Sequence, residues 1–124
     1  MKKPKIVVTG GAGFIGSNLV EVLNQKGEER IIIVDHLKDG NKWKNLLDLK
    51  FLDYIDKNEF LEKIGKGYFK EISAIIHLGA CSNTTVKDLH YLYINNYKYS
   101  QNLALFALEN EINFIYASSA ATYG

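Results

Sequence analysis

The sequence has a single cysteine, Cys81, so no internal disulfide can staple the chain and an exported, oxidising setting is not implied. Its single proline, Pro4, lies before the first apolar run. An excess of one charge is also missing. Fifteen Lys and Arg stand against 14 Asp and Glu, a formal net charge of +1, which argues against an electrostatic hold on nucleic acid or an anionic membrane. No apolar run approaches the ~20 residues that a membrane span needs. After Met1-Lys2-Lys3-Pro4 no apolar signal region follows. The chain has 47% apolar and 23% charged residues, an ordinary globular balance, so a soluble cytoplasmic protein without nucleic-acid or membrane partners is expected. The 124 residues suffice for one domain with a core but are short for a complete α/β enzyme.

What is present alternates between two patterns. Lys5 to Thr9 (KIVVT) is a short apolar run that reads as a buried parallel strand, and Arg30 to Asp35 (RIIIVD), Ile72 to Leu78 (ISAIIHL) and Ile112 to Ser118 (INFIYAS) read as further strands. Phe51 to Asp53 reads as a short strand between the second and third of these. Phe14 to Lys26 carries Phe14, Leu19, Val22 and Leu23 at helical spacing, with Gly27 as a stop. Lys57 to Ile64 reads as a helix, and a long helix is expected from about Val86 to Asn110. His36 to Lys42 is a polar turn, and residues 43–49 are ambiguous between loop and one helical turn. Strands alternating with helices predict a parallel sheet with right-handed crossovers. The expected fold is a Rossmann-type, doubly wound α/β sheet of five strands in order 3-2-1-4-5, truncated after the fifth strand, with residues 1–124 as one dinucleotide-binding domain. The last strand would then be a sheet edge, which invites self-association, and a homo-oligomer is expected.

The strongest motif is Thr9-Gly10-Gly11-Ala12-Gly13-Phe14-Ile15-Gly16, between a strand and a helix. It holds glycines at 10, 13 and 16 and also fits G-x-G-x-x-G from Gly11. An early glycine permits a sharp turn into the helix. Gly13 would let the backbone approach a pyrophosphate, and Gly16 would let the helix pack tightly on the strand. The helix start offers N–H groups and a positive dipole end to phosphates. Asp35 follows at the end of the second strand, where a carboxylate accepts hydrogen bonds from an adenosine ribose. The G-x-x-x-x-G-K-[ST] pattern of P-loop proteins is absent. Asp35 alone favours NAD, because a carboxylate repels a 2′-phosphate. His36, Lys38 and Lys42 follow closely, and such cations can pair with a 2′-phosphate, so these residues leave NAD and NADP both open.

Together with Ile76-His77-Leu78-Gly79-Ala80 and Ser118-Ser119-Ala120-Ala121-Thr122-Tyr123-Gly124, these motifs resemble the extended short-chain dehydrogenase/reductase family, which includes nucleotide-sugar epimerases and dehydratases. Asp35 to Gly40, Asn45 to Leu49, Asp53 to Lys57, Gly79 to Ser82, and Asn95-Asn96-Tyr97 with Tyr99-Ser100 look like the branch that inverts carbon 6 of an ADP-linked heptose. The resemblance spans essentially the whole chain but only the amino-terminal part of such an enzyme. It implies NADP as cofactor, with NAD the other option, and ADP-heptose as substrate. It implies transient oxidation and re-reduction at carbon 6, in a route to lipopolysaccharide inner-core heptose. Carried over by position, Gly10, Gly13, Phe14, Ile15 and Gly16 would hold the pyrophosphate. Asp35 and His36 would face the ribose, His36 standing where the family more often has Asn. Lys42 matches a lysine that helps hold NADP, and Lys57 another that contacts the cofactor. Leu78, Gly79, Ala80, Cys81 and Ser82 would form the loop over the cofactor; Leu78 replaces a more polar residue, so only its backbone contact carries over. Asn95 would point its amide at the cofactor, and Ser119 matches the serine that hydrogen-bonds the reacting sugar. The family's Tyr-x-x-x-Lys pair is absent, since no tyrosine here is followed by a lysine four residues later, and is expected beyond Gly124.

Several tempting residues have plainer readings. His77 ends an apolar strand and reads as a packed, hydrogen-bonded core residue rather than a base. The Cys81 thiol reads as inert. The histidines and Cys81 lack metal-ligand spacing, so no metal is expected. Tyr91, Tyr93, Tyr97 and Tyr99 share one helix and read as packing residues, since no basic stripe accompanies them. Trp43 is equally consistent with a loop anchor, a substrate contact or simple exposure. Two other functions fit the same motifs: a different nucleotide-sugar epimerase, dehydratase or reductase, and a dinucleotide-binding module without catalysis.

Overall fold

A strand that is apolar on both faces needs cover on both sides, and the sheet is built accordingly. The computed structural model describes residues 4–12, 14–36, 42–66, 71–79 and 86–118. Strands β1 (Lys5–Thr9), β2 (Ile31–Asp35), β3 (Asp53–Asp56), β4 (Ile72–Gly79) and β5 (Asn113–Ser118) form one parallel sheet in the order β3-β2-β1-β4-β5. The crossovers carry helices α1 (Phe14–Gln25), α2 (Lys57–Gly65) and α3 (Val86–Glu109). A short 3-10 helix, Lys42–Leu46, occupies part of the segment that the sequence left ambiguous. The doubly wound order is the one expected.

Alternation along the strands sends side chains to two cores. On one face Val7, Ile32, Val34, Ile55 and Ile75 meet Phe60 and Ile64 of α2 and Tyr99, Leu103 and Ala107 of α3. The last three recur every fourth residue, the spacing that keeps one helical stripe against a sheet. On the other face Val8, Ile31 and Ile33 meet Val20 of α1. All five residues of β2 are buried, which is why it reads as an unbroken apolar run.

The third strand departs from expectation. It runs over Asp53–Asp56 rather than Phe51 to Asp53, with Ile32 opposite Asp53 and Asp35 opposite Asp56. Phe51 lies before the strand and packs against the α1-side core instead. As a sheet edge, β3 buries only Ile55 and carries an aspartate at each end, so its apolar signal is weak. Among the described residues no helix is long and apolar enough to cross a membrane.

One side chain ties the entry to β3 onto α1. The Asn24 amide donates to the Glu28 and Lys50 carbonyls, 2.9 Å each, and its oxygen accepts from the Lys50 N–H at 2.8 Å. A net intramolecular hydrogen bond contributes about 0.5–1.5 kcal/mol, less where water can substitute. Asn24→Ala is therefore expected to lower the unfolding free energy by about 1–2 kcal/mol. Urea denaturation checks this: the midpoint should fall with the slope unchanged, and an unshifted midpoint would remove the clamp from the stability account.

Candidate functional site

The carboxyl ends of β1, β2, β3 and β4 come together at the point where the chain reverses its order across the sheet. Crevices at such switch points are where doubly wound sheets take ligands. β1 ends in Thr9, and Gly10 turns the chain with φ +73, a left-handed conformation that side chains rarely adopt. The Gly10 N–H donates to the Val34 carbonyl at 2.7 Å. A Cβ at Gly10 would lie 3.3 Å from the Leu78 Cβ and carbonyl oxygen, so β4 closes tightly on the turn. A Cβ at Gly16 would overlap the Gly10 carbonyl oxygen and lie 2.7 Å from the Gly11 Cα. The first turn of α1 thus rests on the glycine turn itself, whereas the sequence suggested packing on the strand. Close packing against a strand falls to Gly11, whose Cβ would lie 2.9 Å from Ile33 Cγ2.

The Asp35 carboxylate faces this turn. Its Oδ2 accepts the Ala12 N–H at 2.9 Å and its Oδ1 the His36 N–H at 2.7 Å. The Tyr54 hydroxyl donates to the Asp35 carbonyl at 2.8 Å, holding the strand end from the β3 side. His36 Nδ1 lies 3.2 Å from Asp56 Oδ2. Asp56 also caps α2, its Oδ1 accepting the Asn58 N–H at 3.0 Å. Partial burial pushes the Asp56 carboxyl up, but the Asn58 N–H, the His36 ring and its charge, and the Glu59 N–H outweigh it and hold the carboxyl below its usual range. Lys57, the first residue of α2, places Nζ 4.6 Å from the Tyr99 ring centroid, a cation–π distance, and the Tyr99 hydroxyl donates to the Lys57 carbonyl at 3.1 Å. Burial lowers the Lys57 ammonium pKa, against the pull of Asp35 and Asp56.

Behind the turn, His77 on β4 is 6% exposed and hydrogen-bonded at both ring nitrogens. The Leu78 N–H donates to Thr9 Oγ1 at 3.2 Å, so the Thr9 hydroxyl can give its own proton to His77 Nδ1. That leaves the proton on Nε2, which meets Ser100 Oγ of α3 at 2.6 Å. Tyr116, Tyr99 and Phe114 surround the ring, centroids 5.3 to 6.0 Å away. Burial, with repulsion from Lys57, pushes its pKa down to about 4, so it is a neutral, packed residue near pH 7.

Of the residues singled out by sequence, Gly10, Gly16, Asp35, His36, Lys57, Leu78 and Gly79 lie at these strand ends or at the adjoining helix starts. Phe14 and Ile15 open α1, with the Ile15 side chain exposed; Lys42 opens the 3-10 helix and Asn95 lies within α3. The side chains of Phe14, Lys42 and Asn95, and the whole of Gly13, Ala80, Cys81, Ser82 and Ser119, lie outside the described residues. Sequence reading gave Asp56 no role beyond membership of a resembling segment, although Asp56-x-x-Glu59 is a helix-start signature. Tyr54 and Asn45 were likewise passed over except as residues of resembling segments.

A model of the NAD dependent epimerase/dehydratase family matches residues 6–124. The chain belongs to that family. As a member of the epimerase/dehydratase family it is similar in structure to a UDP-N-acetylglucosamine 4-epimerase from Methanobrevibacter ruminantium solved with UDP-N-acetylmuramic acid. The identity is 30% and the TM-score 0.74, over 100% of this chain and 40% of that one. A UDP-glucuronic acid 4-epimerase from Bacillus cereus, solved with NAD, is 29% identical with a TM-score of 0.73, over 97% and 41%. An L-threonine dehydrogenase from Clostridium difficile is 29% identical with a TM-score of 0.66, over 94% and 36%. The chain thus spans 36% to 41% of the length of these three proteins.

Proposed function

We infer that the chain is the cofactor-binding part of an NADP-dependent ADP-L-glycero-D-manno-heptose 6-epimerase. The observation that carries the dinucleotide reading is the turn. Gly10 is left-handed, Gly16 has no room for a side chain, and the start of α1 opens beside the Asp35 carboxylate. These residues fit a dinucleotide: the first turn of α1 presents N–H groups without helical partners to a pyrophosphate. The Asp35 oxygens accept the Ala12 and His36 N–H groups, and a carboxylate at the end of this strand is the group that takes ribose hydroxyls in doubly wound sheets. The Lys42 ammonium is the group assigned to a 2′-phosphate. The heptose reading is supported by the resemblance of Asp35 to Gly40, Asn45 to Leu49 and Asp53 to Lys57 to that branch of the family.

When bound, the nicotinamide supplies reversible hydride acceptance, so a sugar carbon can be oxidised and reduced again with no net redox change. The chain's own residues bind and orient. The resemblance assigns Ser119 to a sugar hydroxyl and residues 78–82 to the reacting side; of these, Leu78 and Gly79 close β4 beside the glycine turn. Ser119 near neutral pH is a poor base without a partner, so the proton is assigned to the tyrosine that the resemblance implies beyond Gly124. The alternative is an epimerase of a UDP-linked sugar, favoured by the 4-epimerases that share the fold at 29% to 30% identity.

The test is incubation of the whole gene product with NADP and ADP-D-glycero-D-manno-heptose, read by NMR of the sugar. Inversion at carbon 6 without accumulation of reduced cofactor is expected. Turnover of a UDP-sugar and none of the ADP-heptose would transfer the protein to the alternative. In the same preparation Lys42→Ala should weaken NADP about tenfold and NAD little, because a charged hydrogen bond contributes about 1.5–3 kcal/mol. Equal losses for both cofactors would take Lys42 away from the 2′-phosphate.

A further inference from the structure

The 3-10 helix that follows β2 is tied to the glycine turn at Ala12. Ala12, fully buried, is held at both of its backbone polar groups: its N–H donates to Asp35 Oδ2 at 2.9 Å, and its carbonyl accepts from Asn45 Nδ2 at 2.9 Å. Asn45 belongs to the 3-10 helix Lys42–Leu46, 33 residues further along the chain. With the Gly10 N–H bonded to the Val34 carbonyl, three hydrogen bonds join residues 10–12 to the end of β2 and the helix beyond it. The helix in turn sits on the α1-side core through Leu46.

We propose that Asn45 is a positioning residue for the dinucleotide site, a latch whose amide fixes the Ala12 carbonyl and so the direction in which the glycine turn presents its backbone. The inference rests on the dinucleotide reading above. A turn rich in glycine has many conformations open to it, and each must be given up when a phosphate binds. Fixing Ala12 at both its N–H and its carbonyl removes much of that freedom beforehand, and pre-organisation of this kind is realised as affinity. The latch acts on the part of the site common to NAD and NADP, so it serves both cofactors alike. Because 42–46 carries both Asn45 and Lys42, the latch also couples the segment assigned to the adenosine end to the turn assigned to the phosphates.

Two substitutions separate the donor from the side chain's bulk. Asn45→Ala removes the amide. Asn45→Asp keeps the shape but replaces the donor with a carboxylate that repels the Ala12 carbonyl. In the whole protein, the dissociation constants of NAD and NADP should both rise about three- to tenfold in Asn45→Ala, the loss of one hydrogen bond. They should rise further in Asn45→Asp. Turnover at saturating cofactor should stay within about twofold of wild type, because positioning before binding leaves the bound site intact. Amide hydrogen exchange across residues 10–16 should quicken in both variants without cofactor, with the exchange of β1 and β2 unchanged. If wild-type protein bound no dinucleotide while exchange quickened in the variants, the functional reading would fall and the latch would stand. If Asn45→Asp matched wild type in affinity and in exchange, the latch would be refuted whatever the cofactor.

Discussion

Gly16→Ala is expected to lower dinucleotide affinity about tenfold or more, the effect of losing one hydrogen bond to a charged phosphate, which contributes about 1.5–3 kcal/mol. A single methyl suffices because of what it meets. The new Cβ would overlap the Gly10 carbonyl oxygen and lie 2.7 Å from the Gly11 Cα, and both are backbone atoms. No rotamer change relieves such a contact, so α1 must lift away from the turn or the turn must reshape. Either movement carries the helix's N-terminal N–H groups off the position where they face a phosphate. Overpacking a close-packed site costs about 1–3 kcal/mol, so the unfolding free energy should fall by that amount as well. Gly65→Ala is the matched control. Gly65 ends α2, and a Cβ there meets nothing within 4 Å. That change should be neutral or stabilise by up to about 1 kcal/mol, since alanine loses less conformational freedom in a helix than glycine. Calorimetric titration with NAD and NADP, beside denaturant melts of the three proteins, reads both effects. A Gly16→Ala protein binding either cofactor within threefold of wild type would mean that the contact between α1 and the turn does not govern the site.

The parts of this architecture that were legible in the sequence share a physical origin. β2 reads as a strand because helices cover both its faces, so every residue from Ile31 to Asp35 is buried and the run is continuous. Gly10 and Asp35 stand out because a left-handed turn and a carboxylate at a strand end are local requirements, visible in a few adjacent letters. β3 was misplaced because an edge strand buries little: only Ile55 is fully covered, and Phe51, the stronger apolar signal, serves the core from outside the strand. Asn24, Asn45 and Tyr54 were illegible as site or clamp residues for another reason. Their partners lie 26, 33 and 19 residues away, and an asparagine that donates to a distant carbonyl looks, in sequence, like any polar loop residue. His77 fell between these cases. Its burial followed from the strand, but its hydroxyl partners on β1 and α3 emerge only once the strand order is known.

His77 should make the fold acid-sensitive in a defined window. In the unfolded chain its imidazole titrates near the usual 6.5, whereas burial and the neighbouring Lys57 charge push it to about 4 in the fold. Above about pH 6.5 the ring is neutral in both states and contributes no pH dependence. Between 6.5 and 4 the unfolded chain takes up a proton that the fold refuses, so stability falls with falling pH, by about 1.4 kcal/mol per unit at most. Below about 4 both states are protonated and this loss levels off, at about 3 kcal/mol in total. The hydrogen bonds give the same sign. An imidazolium would need an acceptor at each nitrogen, and the Thr9 hydroxyl, which already accepts the Leu78 N–H, would have to turn its own proton away from the ring. The lowered carboxyl of Asp56 adds its own loss only as pH falls below about 3.8, outside the window. The experiment is urea denaturation from pH 4 to 7.5 on wild type and His77→Asn. The variant loses the Ser100 contact and is less stable at every pH, so the quantity to compare is the slope. Between pH 4 and 6.5 the wild-type slope should exceed that of the variant by close to one proton. Should His77→Asn fail to fold, the ring proton resonances of His77 in wild type carry the same information. They should stay at their neutral positions down to about pH 4, and titration near 6.5 would show that His77 is neither buried nor held as the structure places it.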